Sequence, residues 1–219
     1  MNIAIDGPAG AGKSTIAKKL SKKLGYIYVD TGAMYRAMAL YIIRCKVDKE
    51  DSTGIENACK DADISIEYVD GEQNVILNGE NVNAYIRTEE VGNMASVSSA
   101  NMKVREKLVS LQQKLAASCD VVMDGRDIGT KVLPDAEVKV FLTASSSVRA
   151  KRRFDELTAK NIECNIDDIE KDIIERDRRD MTRDISPLVQ AQDAILLDSS
   201  YMSIDEVVAK IEELIAERK

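Results

Sequence analysis

The chain has 219 residues, 44% hydrophobic and 32% charged, which is enough apolar material for one sizeable core or a core with a modest insertion. Its 31 basic and 38 acidic side chains give a formal charge of -7, a poor balance for a general nucleic-acid binder, which needs an excess of Lys and Arg on one face. The sequence contains no histidine, so Ser-His-Asp, Cys-His and His-ligated zinc chemistry are excluded and acid-base work falls to carboxylates, lysine, tyrosine or the substrate.

The first residues, Met1 to Asp6, carry neither a basic n-region nor a useful apolar h-region, so no signal peptide is expected. The longest apolar stretch, 37–43, is far short of the roughly 20 residues a membrane span requires. Cys45, Cys59, Cys119 and Cys164 lie far apart with no C-x-x-C pair, as expected for reduced cysteines in a soluble cytoplasmic protein.

Ile3 to Ile5 reads as a short strand before a glycine-rich loop. Ile16, Leu20 and Leu24 then recur every four residues among lysines, an amphipathic helix that Gly25 ends. A second strand is expected at 26–29 and a helix at 34–43, where Met34, Met38 and Ile42 share a face. From Ile64 the apolar residues alternate, and two hairpin signals, Asp70-Gly71 and Asn78-Gly79, divide the run. The pattern predicts a three-stranded antiparallel insert at about 64–83, inside an otherwise alternating strand-helix order.

Residues 88–118 read mostly as helix, and Val121 to Asp124 as a buried strand ending in a carboxylate. Strands are expected at 138–142 and 195–197, with Arg-rich helices at about 145–160 and 167–182 between them. A last helix begins at Ser203, where Ser203 and Glu206 form a capping box and Ile204, Val207, Val208, Ile211, Leu214 and Ile215 make one stripe assigned to the core. Five strands with intervening helices imply an α/β fold with a parallel sheet covered on both faces.

Gly7-Pro8-Ala9-Gly10-Ala11-Gly12-Lys13-Ser14 fits G-x-x-x-x-G-K-[ST] directly after a strand and at the start of a helix, with Thr15 next along it. Such a loop wraps a phosphate in backbone N–H groups at a positive helix end. Lys13 would neutralise charge on the β- and γ-phosphates, and Ser14 could ligate Mg2+. Asp124 ends an apolar strand, where a second carboxylate in such proteins holds the hydrated Mg2+. Together they point to a nucleoside triphosphate, ATP in the reading adopted, with Mg2+.

Neither N-K-x-D nor T-K-x-D is present, which sets a GTPase switch low. A small-molecule kinase instead needs a second anion site and cationic groups that spread over the transferring phosphoryl. Arg149, Arg152 and Arg153, at i, i+3 and i+4, can converge on one helix face, and Arg176, Asp180 and Arg183, at i, i+4 and i+7, repeat the geometry around a carboxylate. An isolated run of this kind is more often a solvated face laced with ion pairs. Beside a phosphate loop, arginine forks suited to phosphate oxygens shift the balance toward function.

The phosphate loop, Asp30 to Arg36, Thr88 to Val91 with Ser96 and 104–106, Asp124-Gly125-Arg126-Asp127-Ile128-Gly129, and 176–180 with Arg183 together resemble the bacterial-type cytidylate kinase family over nearly the whole chain. The resemblance implies a P-loop nucleoside monophosphate kinase fold with a five-stranded parallel core. Residues 1–35 and 105–219 would form that core, with an Arg-rich lid at about 149–165, and 36–104 an enlarged monophosphate-binding domain containing the insert.

Position by position, the resemblance implies that Thr31, Arg36, Arg126 and Arg183 meet the CMP phosphate and that Ser96, Arg105 and Asp127 read the cytosine edge. Arg176 and Asp180 would hold the ribose, and Arg149, Arg152 and Arg153 would close over the triphosphate, with Lys13, Arg126, Arg153 and Arg183 nearest the chemistry. Thr31 stands where a serine is usual in the family; both carry the hydroxyl. The implied function is Mg2+-dependent phosphoryl transfer from ATP to CMP or dCMP by a monomer with no nucleic-acid or membrane partner. Another small-molecule P-loop kinase is the alternative, and a nucleotide-binding switch is a further one.

Overall fold

Strand β1 (Asn2–Asp6) buries Ile3, Ala4 and Ile5 completely in the computed structural model, which describes residues 1–218. A strand apolar on both faces lies inside a sheet that is covered on both sides. After the loop at 7–12 come α1 (Lys13–Leu24), β2 (Ile27–Asp30), α2 (Thr31–Arg44) and α3 (Ser52–Asp61). The insert follows as β3 (Ile64–Val69), β4 (Glu72–Leu77) and β5 (Glu80–Asn81), then α4 (Glu89–Ser98) and α5 (Met102–Ser118). The rest is β6 (Val121–Gly125), a π-helical turn (Ile128–Val132), β7 (Val138–Thr143), α6 (Ser146–Ala159), α7 (Ile166–Thr182), β8 (Ile195–Asp198) and α8 (Ile204–Ala216).

The main sheet has five strands in the order β2-β6-β1-β7-β8. Strand β1 pairs in parallel with β6 and β7, and β7 with β8, as the alternating order predicted. The register sets Ile5 beside Asp124 and Asp6 beside Gly125, so two strand-ending carboxylates arrive at the carboxyl edge of the sheet on neighbouring strands. In open parallel sheets that edge is where ligands bind.

By their internal packing the residues form two units, Met1–Tyr26 with Val121–Lys219, and Ile27–Asp120. In the first, α8 packs on α1 and β7, and the capping box at Ser203 and Glu206 is present. Val207, Val208, Ile211 and Ile215 are buried, but Ile204 is 48% exposed and Leu214 half-buried, so the apolar stripe is narrower than its sequence pattern. Ile204 is the first residue of the helix, before the turn that meets the sheet.

In the second unit the insert has the expected form. Strands β3 and β4 are antiparallel, with Ile66 opposite Val75, and β4 pairs with β5. Both turns are left-handed at both central residues, Asp70 (φ 54°) with Gly71 (φ 78°) and Asn78 (φ 49°) with Gly79 (φ 83°), the twist that two-residue hairpins favour. The insert braces the start of α2. The Gln73 amide accepts from Asp30 N at 2.8 Å and donates to Asp30 O at 3.2 Å, while the Tyr68 hydroxyl donates to Tyr28 O at 2.9 Å.

Helix α3 was not anticipated. Its apolar signal is only Ile55, Ala58 and Cys59, and its start is fixed by Asp51 accepting from Gly54 N at 2.9 Å. The mostly helical stretch expected over 88–118 is two helices, because Asn101 caps a new start by accepting from Lys103 N and Val104 N. Gly25, left-handed at φ 71°, ends α1 as its position suggested.

Candidate active site

The loop after β1 reaches α1 through three left-handed glycines, Gly7, Gly10 and Gly12, and Gly12 is the N-cap of the helix. Lys13 is buried at 5% exposure and donates from Nζ to the Pro8 carbonyl at 2.8 Å. Burial pushes its pKa down to about 7, with Arg126 and Arg176 acting in the same direction and Asp124 and Asp6 opposing. Three cationic side chains and two carboxylates thus surround one loop whose backbone suits an anion. Pro8, Ala9 and Ala11 complete the loop, and Thr15 lies exposed on the first turn of α1.

The Ser14 hydroxyl donates to Asp124 Oδ2 at 3.0 Å, across 110 residues of sequence. A hydroxyl and a buried carboxylate side by side suit Mg2+, which favours hard oxygen donors and keeps its other positions for water and phosphate.

Arg126 follows β6. Its Nε donates to Asp180 Oδ2 at 3.0 Å, and Asp180, on α7, is 6% exposed. Asp127 is 3% exposed, and its carbonyl accepts from Lys131 N and Val132 N to close the π-helical turn. That turn is a second element the sequence pattern did not signal. Asp6 lies at its mouth and accepts from Ile128 N at 2.8 Å and Gly129 N at 2.7 Å. Burial raises the Asp6 pKa to about 6, against the lowering effect of those two bonds.

Two of the three α6 arginines reach the loop. Arg149, 5% exposed, donates from Nε to Ala144 O at 2.8 Å and from Nη1 to Ala9 O at 3.0 Å, and it grips Asp177 bidentately at 3.1 and 2.6 Å. Arg152 donates to Ala11 O at 3.4 Å and Ser199 O at 2.8 Å. Arg153, 51% exposed at its side chain, pairs with Glu156 at 2.9 Å, so the three do not share one face. Arg183 caps the end of α7 in an extended conformation (φ -66°, ψ 143°) and its Nε donates to Ser186 O at 2.7 Å. It directly follows Thr182, the last residue of α7, as the half-in C-cap of the helix that carries Arg176 and Asp180.

In the other unit, Thr31 is buried as the first residue of α2, and Asp30 caps that helix by accepting from Ala33 N at 2.9 Å. Asp30 also pairs with Arg87 at 2.7 Å. Arg36 lies in the second turn of α2. Arg105 is 5% exposed, stands 5.7 Å from the Tyr35 ring centre, and donates to Ser99 O at 3.4 Å. Ser99 Oγ in turn donates to Ser96 O at 3.0 Å, so the break between α4 and α5 ties Arg105 to the turn that bears Ser96.

Sequence reasoning missed Asp6, Tyr35, Asp177 and Ser199, the last of which also donates to Ala11 O at 3.3 Å. For Asp6 the signal was present: it follows an apolar run at the end of a strand, as Asp124 does one residue before β6 ends. Nothing in the local pattern marks Tyr35 or Ser199, whose roles depend on elements distant in sequence.

The family model described as cytidylate kinase matches residues 3–217. A cytidylate kinase of Lactobacillus johnsonii is 52% identical over 219 residues, covering 100% of this chain and 95% of that protein. One of Caldicellulosiruptor bescii is 51% identical over 214 residues, covering 98% of this chain and 95% of that protein. Among solved structures, an uncharacterized protein from Eubacterium ventriosum shares the fold with a TM-score of 0.57 at 13% identity, covering 100% and 99% of the two chains.

Proposed function

The chain belongs to the cytidylate kinase family, and we propose from that premise that it transfers the γ-phosphoryl group of ATP to CMP or dCMP, giving ADP and the cytidine diphosphate. The observation that carries the reading is the convergence of Lys13, Arg126 and Arg176 on the glycine loop, beside the Ser14 and Asp124 oxygen pair. Cations there offset the charge spread over the equatorial oxygens of the transferring group, which is the main task of catalysis in phosphoryl transfer.

The chemistry needs no histidine. An oxygen of the CMP phosphate, already ionised near neutral pH, forms the new bond to the γ-phosphorus, and the bond to the β,γ-bridging oxygen breaks with ADP as leaving group. Lys13, at the helix N-terminus, meets the β- and γ-phosphates, whose charge restores the ammonium that burial disfavours. Ser14 and Asp124 would hold a magnesium ion, which would supply Lewis-acid charge stabilisation at the triphosphate. The Nε bond to Asp180 fixes the plane of the Arg126 guanidinium and leaves Nη2 for a phosphate oxygen.

The remaining assignments follow the family pattern. Thr31, Arg36, Arg126 and Arg183 take the CMP phosphate; Ser96, Arg105 and Asp127 take the base; Arg176 and Asp180 take the sugar. Gly7 to Thr15 take ATP, with Arg149, Arg152 and Arg153 on the α6 side and 149–165 as the lid. We assign 36–104 as the monophosphate-binding part. Asp127 can accept from the cytosine 4-amino group, where uracil would present a second acceptor. No helix among the described residues is long and apolar enough to cross a membrane, and we read the enzyme as a cytoplasmic monomer.

A coupled ADP assay across the common nucleoside monophosphates tests the reading. We expect ADP formation that depends on CMP or dCMP. UMP or AMP preferred over CMP by about tenfold in kcat/KM would overturn it, since that ratio corresponds to a reversed discrimination of about 1.4 kcal/mol.

A further inference from the structure

We infer that Asp6 is a positioning residue for base selection: its carboxylate clamps the turn that carries Asp127 to the strand that leads into the phosphate loop. The inference rests on the reading of Asp127 as the reader of the cytosine amino group.

Several observations carry it. Asp6 and Gly125 are register partners on β1 and β6, so the carboxylate stands where the chain leaves β6 for Arg126 and Asp127. Its two oxygens accept separately from two successive backbone N–H groups, Ile128 at 2.8 Å and Gly129 at 2.7 Å. A pair of bonds of this kind fixes both the position and the tilt of a short segment, where a single bond would leave it a hinge. The π-helical turn begins at Ile128 and Asp127 is its N-cap, so the clamp acts at the residue next to the base reader.

Gly129 adds a steric half to the clamp. A Cβ at that position would stand in van der Waals contact with Asp6 Oδ2 at 3.4 Å and tightly, at 3.2 Å, against Lys139 Cδ, so that the lysine stem or the turn must give by a few tenths of an ångström. Lys139 has no room to spare, being 8% exposed and held by Asp193 at 2.7 Å and by the Pro134 carbonyl. The two acids, Asp6 and Asp127, are 5% and 3% exposed, and the charge of Asp127 adds to the cost of ionising Asp6. An apolar residue at position 6 would avoid that cost but would leave two buried N–H groups without an acceptor. The arrangement makes sense where the placement of Asp127 matters more than stability.

The test uses Asp6→Asn, in which the amide offers one acceptor and turns an N–H2 toward the other backbone N–H. With ATP saturating, kcat/KM is measured for CMP and for UMP, and amide hydrogen exchange is followed at Ile128 and Gly129. We expect faster exchange at both amides and a CMP-to-UMP ratio narrowed by about tenfold, the change that 1.4 kcal/mol of lost discrimination produces. General destabilisation would lower both acceptors together and leave the ratio at the wild-type value. Gly129→Ala approaches the clamp from the other side and should narrow the ratio in the same direction.

The double variant Asp6→Asn with Asp127→Ala should match Asp127→Ala alone, because Asp6 acts through Asp127. A wild-type ratio in Asp6→Asn beside a narrowed ratio in Asp127→Ala overturns the inference alone. A wild-type ratio in Asp127→Ala overturns the base-reader assignment and the inference with it. Amides that stay protected in Asp6→Asn also overturn it, since the clamp would then not hold the turn.

Discussion

Gly7→Ala tests the packing of the phosphate loop against the sheet. At Gly7, φ is 146°, and an added Cβ would lie 1.9 Å from the Leu142 carbonyl oxygen, with the Leu142 carbonyl carbon at 3.0 Å. Even close C–H···O contacts keep carbon and oxygen about 3.3 Å apart, so the substitution demands a displacement of about 1.4 Å. The clashing atom is backbone of β7, fixed by its pairing with β8, where Leu142 stands beside Leu197, and cannot swing aside as a side chain could. Overpacking of this kind costs about 1–3 kcal/mol or more. The left-handed backbone adds about 1–3 kcal/mol for an L residue.

Gly25→Ala is the control. Gly25 is also left-handed, at φ 71°, but nothing lies within 4 Å of its added Cβ. Only backbone strain remains, about 1–2 kcal/mol, partly offset by the reduced entropy of the unfolded chain. Urea unfolding of the two nucleotide-free variants should therefore place Gly7→Ala at least about 1 kcal/mol below Gly25→Ala, the overpacking cost that the control lacks. Equal stabilities would refute the reasoning, because they would mean that the loop can lift from β7 at no cost.

Two further predictions concern charge. The Lys13 pKa is lowered from 10.5 to about 7 by burial, so the native state binds fewer protons than the unfolded state between those values. Stability of the nucleotide-free protein contributed by this residue therefore rises as pH rises through that window. Urea midpoints measured from pH 7 to 10 should climb in the wild type relative to Lys13→Met, and parallel curves would sink the assignment. Asp127→Ala should lower the CMP-to-UMP ratio in kcat/KM by more than it lowers turnover with UMP, because only the amino group of cytosine loses its acceptor. An unchanged ratio would show that another residue selects the base.

How much of this was legible beforehand varies by element. The phosphate loop needs particular residues at fixed spacing within eight positions, and its strand-loop-helix context is read from the same short stretch. Asp124 could be singled out because it follows an apolar run in a buried strand, one residue before the strand ends at Gly125. The two hairpins of the insert announced themselves as Asp-Gly and Asn-Gly between alternating apolar residues, since a left-handed pair of residues demands those types. Helix α3 escaped because a ten-residue helix with only three buried positions gives little periodicity, and the π-helical turn escaped because Asp6, remote in sequence, holds its first amides.

The arginines mark the boundary most clearly. Their spacing suggested helical faces, and both α6 and α7 formed where expected. Helical spacing fixes only the direction in which a side chain leaves its helix. Arg149 met Ala9, Ala144 and Asp177, Arg153 met Glu156, and Arg183, at the C-cap of α7, met the Ser186 carbonyl.

The sequence by itself determined the family, the glycine loop, the alternating strand and helix order and the identity of the charged groups, because these depend on residue type and short-range spacing. Only the tertiary structure decided which carbonyl, carboxylate or amide each charged group would meet. Those partners come from segments as far apart as Asp6 and Gly129, or Ser14 and Asp124, and the sheet register that joins them is a property of the whole core.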